Sequence, residues 1–256
     1  MFYLLCALLI CHVGGPGTTS QAQPVVDQFL RQLEKTAGWQ PDSLSGAYFE
    51  QLPGCRKYLA ENKPRIGAFD LATFLKHQKA WGLAAIAHMG KADAKHYYLL
   101  VRKGSYSTLE SLKGKKLISS LAADPEFLSK IIFGKKVDAA KHFQLNHSRQ
   151  PLQGIRKVAR GQADATLVDE TAYQHLSELK LPTTLEAIYV SPPLPGLTLA
   201  AIFSNEAKTQ KLAEQLSGVI PNLCAGVGKS LCTNFQIERF ERVKKGIYEK
   251  LAKEYQ

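Results

Sequence analysis

The sequence has no CxxC pair and no His/Cys group at zinc-ligand spacing, so its five cysteines do not read as a metal site. It has no apolar run long enough to span a bilayer: Phe2 to Val13 covers only about twelve residues. No GxSxG elbow is present, and His147-Ser148 is no triad signal because sequence neighbours point apart. Gly14-Gly15-Pro16-Gly17 is not a P-loop, since no Lys-Ser/Thr follows it. There are no repeats and no low-complexity linker. RNP-like, zinc-finger and arginine-rich signatures are also missing, which argues against nucleic acid as a partner. Acidic residues are scarce: 22 against 33 Lys plus Arg, a net charge of +11. That imbalance favours an anionic partner. The basic residues are spread, with Lys113, Lys115 and Lys116 the densest cluster.

What remains is an ordinary globular composition, 45% hydrophobic and 21% charged, over 256 residues. That length suits one or two domains. The chain alternates short apolar runs with amphipathic ones. Strands are expected at Leu8–Val13, Gly46–Glu50, Arg65–Leu71, Leu83–Met89, Tyr97–Val101, Leu117–Ser120, His142–Leu145, Ala163–Val168, Ala187–Ser191 and Leu197–Phe203. Helices fall between them, and the tail from Phe235 to Tyr255 reads as a basic amphipathic helix. Its basic side is a solvated face or a membrane contact. Such alternation predicts an α/β protein with parallel sheets. Polar crossovers near 102–107 and 192–196 divide it into lobe 1 (1–101 and 197–256) and lobe 2 (102–196).

Residues 1–23 carry two readings. Ser20-Gln21-Ala22 resembles a signal-peptide cleavage site, but no Lys or Arg precedes the apolar run, and Ile10 spoils a lipobox at Cys11. Alternatively Leu8–Val13 is a first strand. Gly14 to Ser20 then leads into a helix, with Ser20 and Gln23 at capping-box spacing. Glycines and hydroxyls at a helix start either form an anion cradle or a simple turn. Cys224 and Cys232 flank the flexible Ala225-Gly226-Val227-Gly228 and can close a disulfide in an oxidising compartment; an odd cysteine count leaves one thiol over.

The stretch Gly154 to Asp169 organises the second half. Leu152, Ile155, Val158 and Ala159 share a helix face, Gly161 supplies a left-handed stop, and Ala163–Val168 is a buried strand. Asp169 stands at its carboxyl end, as a cap for the next helix or as a ligand contact at a strand tip. Asp70, Asp124, Asp164 and Asp169 show no spacing that pairs them as catalytic carboxylates.

Four segments occur in a telling order: Tyr97-Tyr98-Leu99-Leu100-Val101-Arg102-Lys103, Leu109 to Leu117 with Lys113-Gly114-Lys115-Lys116, Gly161-Gln162-Ala163-Asp164-Ala165, and Ser191-Pro192-Pro193. Over residues 8–255 the sequence resembles the phosphonate-type substrate-binding proteins of ABC transporters, which are type II periplasmic binding proteins. The resemblance implies two Rossmann-like lobes joined by a two-strand hinge and closing on a small anionic solute. It implies a monomer in the periplasm or an equivalent extracytoplasmic space, with ABC permease subunits as partners and membrane contact only through them. It implies no cofactor, no metal and no catalysis. A ligand-sensing domain of a signalling system, or a biosynthetic enzyme on the same fold, are the alternatives. Carried over by position, the ligand contacts are Thr18, Thr19, Phe69 and Asp70 in lobe 1, Tyr97 near the hinge, and Ser119, Ser120, His147, Ser148 and Asp169 in lobe 2. One departure counts against phosphonate itself. The family's Ser-Thr-Ser-Gly run is here Ser119-Ser120-Leu121-Ala122-Ala123-Asp124-Pro125, with fewer hydroxyls and an added acid. The expected solute is therefore an oxyanion of the phosphate/phosphonate-like class.

Overall fold

The structure, a computed structural model, describes residues 6–13, 15, 18–90, 95–226, 229, 232, 233, 237, 239–244 and 246–256. Expectations resting on Gly14, Pro16 and Gly17, on Val227 and Gly228, and on the start of the tail at Phe235 lie outside them. The described strands form two sheets, and the chain divides into two compact units: residues 1–94 with 195–249, and residues 95–194 with 250–256.

In the first unit the strands are β1 (Cys6–Cys11), β2 (Leu44–Phe49), β3 (Ile66–Phe69), β4 (Ala84–Met89), β10 (Thr198–Ala201) and β11 (Phe240–Arg242). Their order across the sheet is β11-β4-β10-β3-β1-β2. β1 runs parallel to both β2 and β3, and β10 is antiparallel to β3 and β4. Every residue of β3 and β10 is buried, as expected of interior strands covered on both faces. Helix α1 (Thr19–Ala37) lays Val26, Leu30 and Leu33 on this sheet, at the spacing of one helical face. Its one buried acid, Glu34, is satisfied: Oε1 accepts the Leu44 amide at 2.7 Å and Arg31 pairs with Oε2 at 3.1 Å. Helix α2 (Leu52–Asn62) follows β2, and helix α3 (Leu71–His77) follows β3.

In the second unit the strands are β5 (Tyr97–Arg102), β6 (Lys116–Ser119), β7 (Gln144–His147), β8 (Ala165–Asp169) and β9 (Leu185–Val190), ordered β7-β6-β8-β5-β9. β6 is parallel to β7 and β8, while β5 is antiparallel to β8 and β9. Short helices α4 (Pro125–Phe127) and α5 (Ala139–His142) lie between β6 and β7. Helix α6 (Pro151–Ala159) buries Ile155 and Val158 against Ile118, Leu100 and Val168. It sits so close to the sheet that a Cβ on Gly154 would lie 2.4 Å from the Thr166 Oγ1, so this turn admits only glycine. Gly161 adopts φ 73°, the left-handed stop expected from sequence. Helix α7 (Glu170–Gln174) follows β8, and helix α8 (Ala207–Val219) follows β10.

Several sequence expectations shift. Of the two readings of residues 1–23, Cys6–Cys11 is a strand hydrogen-bonded on both sides. The capping box is Thr18 with Gln21 rather than Ser20 with Gln23: the helix starts two residues earlier, where Thr18 has extended backbone and exchanges bonds with Gln21. The seventh strand is displaced to Gln144–His147, which brings His147 to its tip, and the eighth includes Asp169 as its last residue. The tail is not one helix. Phe240–Arg242 pairs with β4, Phe240 packs on the Phe29 ring at 5.8 Å, and helix begins only at Ile247, after Gly246 at φ 97°. The units change at 94/95 rather than 101/102, because all of β5 pairs within the second sheet. Lys95 and Leu194, at the two crossings, exchange antiparallel backbone bonds of 3.1 and 2.9 Å. Residues 250–256 also join the second unit: the buried Tyr255 hydroxyl donates to Asp124 at 2.9 Å, and Lys130 Nζ donates to the Tyr255 carbonyl at 2.8 Å.

Two disulfides are formed. Cys224–Cys232 is the pair that the flexible loop between them suggested, and Cys11–Cys55 ties β1 to α2. The second pair had no local signal. Its cysteines stand 44 residues apart, and only the β1–β2–α2 path brings them together.

Candidate functional site

In the first unit, the carboxyl ends of β1, β2 and β3 lie along one sheet edge, because these strands are parallel. Helices start from that edge, and the residues there act as caps. Thr18 is exposed and caps α1. Thr19 Oγ1 donates to the Glu50 carboxylate at 2.8 Å. Asp70 caps α3 and is 8% exposed; it accepts from the Thr73 amide (2.9 Å), the Thr73 hydroxyl (2.7 Å) and the Val13 amide (3.0 Å). The last bond pins the segment after β1 to the tip of β3. Asp70→Ala strands three donors, two of them buried and one partly buried, and is expected to cost about 3 kcal/mol, given about 1–3 kcal/mol per orphaned group. Urea denaturation measures it. Phe69 has no exposed surface; its ring packs on Trp81 at 5.9 Å, inside the core. Nearby, burial, then the Glu50 and Asp70 carboxylates, push the Tyr48 phenol up to about 12, so it stays a neutral hydroxyl.

The second unit gathers the other predicted residues along one edge of its sheet. Parallel β6, β7 and β8 end there in Ser119, His147 and Asp169, and antiparallel β5 starts there with Tyr97. Ser119 is in register with His147, and Tyr97 with Asp169. Ser119 is buried and committed: its hydroxyl donates to the Leu167 carbonyl at 3.1 Å and accepts the Leu121 amide at 3.1 Å. Ser120 is half-buried and His147 exposed. Ser148 hydrogen-bonds through its amide to the Ser119 carbonyl at 3.1 Å. Its hydroxyl is fully buried and has no hydrogen-bond partner among the described residues. Gln150, the cap position of α6, likewise makes no side-chain cap bond.

Asp169 does two jobs at once. Oδ1 accepts the Ala172 amide at 2.9 Å, capping α7, and Oδ2 pairs with Lys95 Nζ at 2.9 Å. Lys95 was not singled out from sequence. Its position two residues before an antiparallel strand puts it at the same edge as the tip of β8, but that follows only once the pairing of β5 with β8 is known. Lys95 Nζ also lies 6.0 Å from the Tyr97 ring. Ser191, from the Ser-Pro-Pro segment, holds Tyr97 in place: its hydroxyl accepts the Tyr97 amide at 2.9 Å, and its amide donates back to the Tyr97 carbonyl at 2.9 Å. Tyr98 points to the opposite face, where it stacks on Tyr173 at 3.8 Å and donates to Glu170 at 3.1 Å; burial, then that bond, raises its phenol.

Among the described residues, no three His, Cys, Asp or Glu side chains are grouped to hold a metal ion, and no helix is long and apolar enough to cross a membrane. The edge of the second sheet offers hydroxyls, an imidazole, an ammonium and helix-start amides.

No functionally curated protein matches the sequence. Among solved structures, the chain is similar to a binding-protein component of an ABC phosphonate transporter (PA3383) from Pseudomonas aeruginosa, with TM-score 0.73 and 15% identity over 98% of this chain and 85% of that one. It is also similar to PhnD1 from Prochlorococcus marinus in complex with methylphosphonate, with TM-score 0.69 and 15% identity over 97% and 96%. XAC2383 from Xanthomonas citri bound to ATP gives TM-score 0.71 and 11% identity over 97% and 96%. At these identities the likeness is one of fold, the type II periplasmic-binding-protein architecture. A family model described as "ABC transporter, phosphonate, periplasmic substrate-binding protein" matches residues 21–248, nearly the whole chain. The chain therefore belongs to that family: it is a periplasmic substrate-binding protein of an ABC transporter, with a small-molecule ligand and permease partners, and not an enzyme.

Proposed function

We propose that the solute is a small oxyanion of the phosphate or phosphonate class, held at the strand-end edge of the second sheet by Ser120, His147, Ser148, Tyr97 and Lys95. Thr18 and Thr19 are its candidate contacts in the first unit, where Asp70 is spent on internal bonds, and the two lobes close on the bound solute. The observation that carries this reading is the Ser148 hydroxyl, buried without a partner among the described residues, two positions before Gln150 at the uncapped start of α6. A buried hydroxyl left unpaired costs about 1–3 kcal/mol, a cost that a bound acceptor would offset. Helix-start amides and a hydroxyl donor suit an anion. Relatives of this fold bind methylphosphonate and ATP, and both ligands present phosphorus-bound oxygens. The net charge of +11 favours the approach of anions generally.

A thermal-shift screen of phosphate, phosphite, methylphosphonate, sulfonates and carboxylates tests the class; no stabilisation by any of them sinks it. Ser148→Ala gives a sharper check. It removes an unsatisfied group, so the unliganded protein gains about 1 kcal/mol. Affinity for the best oxyanion falls at least tenfold. A purely structural Ser148 would leave affinity unchanged.

A further inference from the structure

We infer that the edge of the second sheet opposite the solute edge is a docking surface for an anionic lipid bilayer, formed by Lys103, Lys113, Lys115, Lys116 and Arg160. This partner is independent of the solute. Three turns meet at that edge, and each sets a cation just before a left-handed glycine: Lys103 before Gly104 (φ 75°), Lys113 before Gly114 (φ 74°) and Arg160 before Gly161 (φ 73°). The sheet holds the turns side by side. Lys116 opens β6, its carbonyl takes the Asp164 amide at 3.0 Å just before β8, and Lys103 follows the last residue of β5. β6, β8 and β5 are successive strands. At about 4.8 Å per strand the turns lie within about 10 Å of one another, a Debye length at about 0.1 M salt, so their fields add. All five side chains are exposed, and none forms an ion pair with a described residue. The acids in these turns and strand ends are fewer. Asp138 is matched by Lys141 at 3.2 Å. Asp164 and Glu186 each spend an oxygen on a backbone amide, those of Lys116 (2.9 Å) and Gly104 (2.7 Å). Glu110 and these two face the five cations and Arg102, so positive charge is in excess.

The chemistry of the edge selects lipid over protein. Protein interfaces centre on aromatic or aliphatic anchors. Among the described residues the exposed large hydrophobic side chain is Val190, at the other end of β9. Four of the five cations are lysines, mobile point charges that suit a diffuse field of headgroup phosphates; a single fixed anion favours the planar fork of arginine. A membrane is also where an ABC transporter works. Lys116 and Ser119 are opposite ends of β6. A bilayer at the basic edge therefore leaves the solute edge of this unit open to the aqueous side, and the protein is concentrated at the membrane while it still takes up solute.

Co-sedimentation of the full chain with vesicles tests this. Vesicles of phosphatidylcholine and phosphatidylglycerol in equal parts are expected to bind the wild type at low salt, and vesicles of phosphatidylcholine alone are not. About 0.5 M NaCl, where the Debye length falls to about 4 Å, is expected to release it. The triple variant Lys113→Gln/Lys115→Gln/Lys116→Gln is expected to lose about a hundredfold in vesicle affinity, at about fivefold per cation. Removing the same charge from exposed positions of the first unit, by Lys57→Gln/Lys208→Gln/Lys211→Gln, should cost no more than about threefold. No binding to the phosphatidylglycerol vesicles at low salt overturns the inference, and that comparison needs no variant to fold. Equal losses in the two triple variants mean that net charge rather than this edge attracts the bilayer, which also overturns it. Retention on immobilised poly-glutamate without vesicle binding assigns the edge to an acidic protein instead. Inorganic phosphate at matched ionic strength should leave vesicle binding intact; release by it marks a site for free phosphate and sinks the bilayer assignment.

Discussion

A chain that starts at Gln23 is expected not to fold its first unit. The deletion removes β1, which is bonded to β2 across six residue pairs and to β3 across four. It also removes Leu8 and Leu9, both essentially without exposed surface, the Thr18 cap, and Cys11 of a disulfide. Truncating a buried leucine costs about 2–5 kcal/mol. Two of them, with the facing amides and carbonyls of β2 and β3 left unpaired, match a whole domain's stability of about 5–15 kcal/mol. Both tryptophans, Trp39 and Trp81, lie in the first unit, so fluorescence reports on it alone. The truncated chain should already show solvent-exposed emission without denaturant. A native spectrum and a cooperative urea transition would show that β1 is dispensable. Leu9→Ala in the full chain is the graded version, with an expected loss of about 3 kcal/mol.

The two disulfides should differ in worth. Cys11–Cys55 closes a loop over 44 residues and Cys224–Cys232 one over 8. Constraint of the unfolded chain grows with loop length, giving about 4 kcal/mol for the first and about 2.5 kcal/mol for the second. The longer bridge also holds an interior strand to α2, with both cysteines fully buried. Replacing each pair by alanines and following tryptophan emission in urea gives the comparison directly, because both bridges are in the unit that carries the tryptophans. Equal losses, or a larger loss at Cys224–Cys232, would mean that the unfolded chain is already restrained around β1.

Strand and helix order was largely legible because each signal is local. Gly161 stops a helix because its left-handed backbone suits glycine, and the apolar spacing of Val26, Leu30 and Leu33 marks one helix face. Boundaries were less legible. Thr18 and Ser20 each offer a hydroxyl three residues before a glutamine, and only the backbone settles which one caps. The tail failed for a tertiary reason. Helical periodicity around Phe240 loses to the open edge of β4, whose unpaired backbone takes Phe240–Arg242 as a strand.

The sequence by itself determined the fold class and the family, and it named the residues at the ends of most strands. Those depend on periodicity, turn chemistry and ordered motifs. Only the tertiary structure decided what the named residues do. It spent Asp70 and Ser119 on internal bonds, buried Phe69, and left the Ser148 hydroxyl without a partner among the described residues. It also paired Cys11 with Cys55 and Lys95 with Asp169. Each outcome depends on strands far apart in the chain meeting in one register, and no local pattern of residues encodes that meeting.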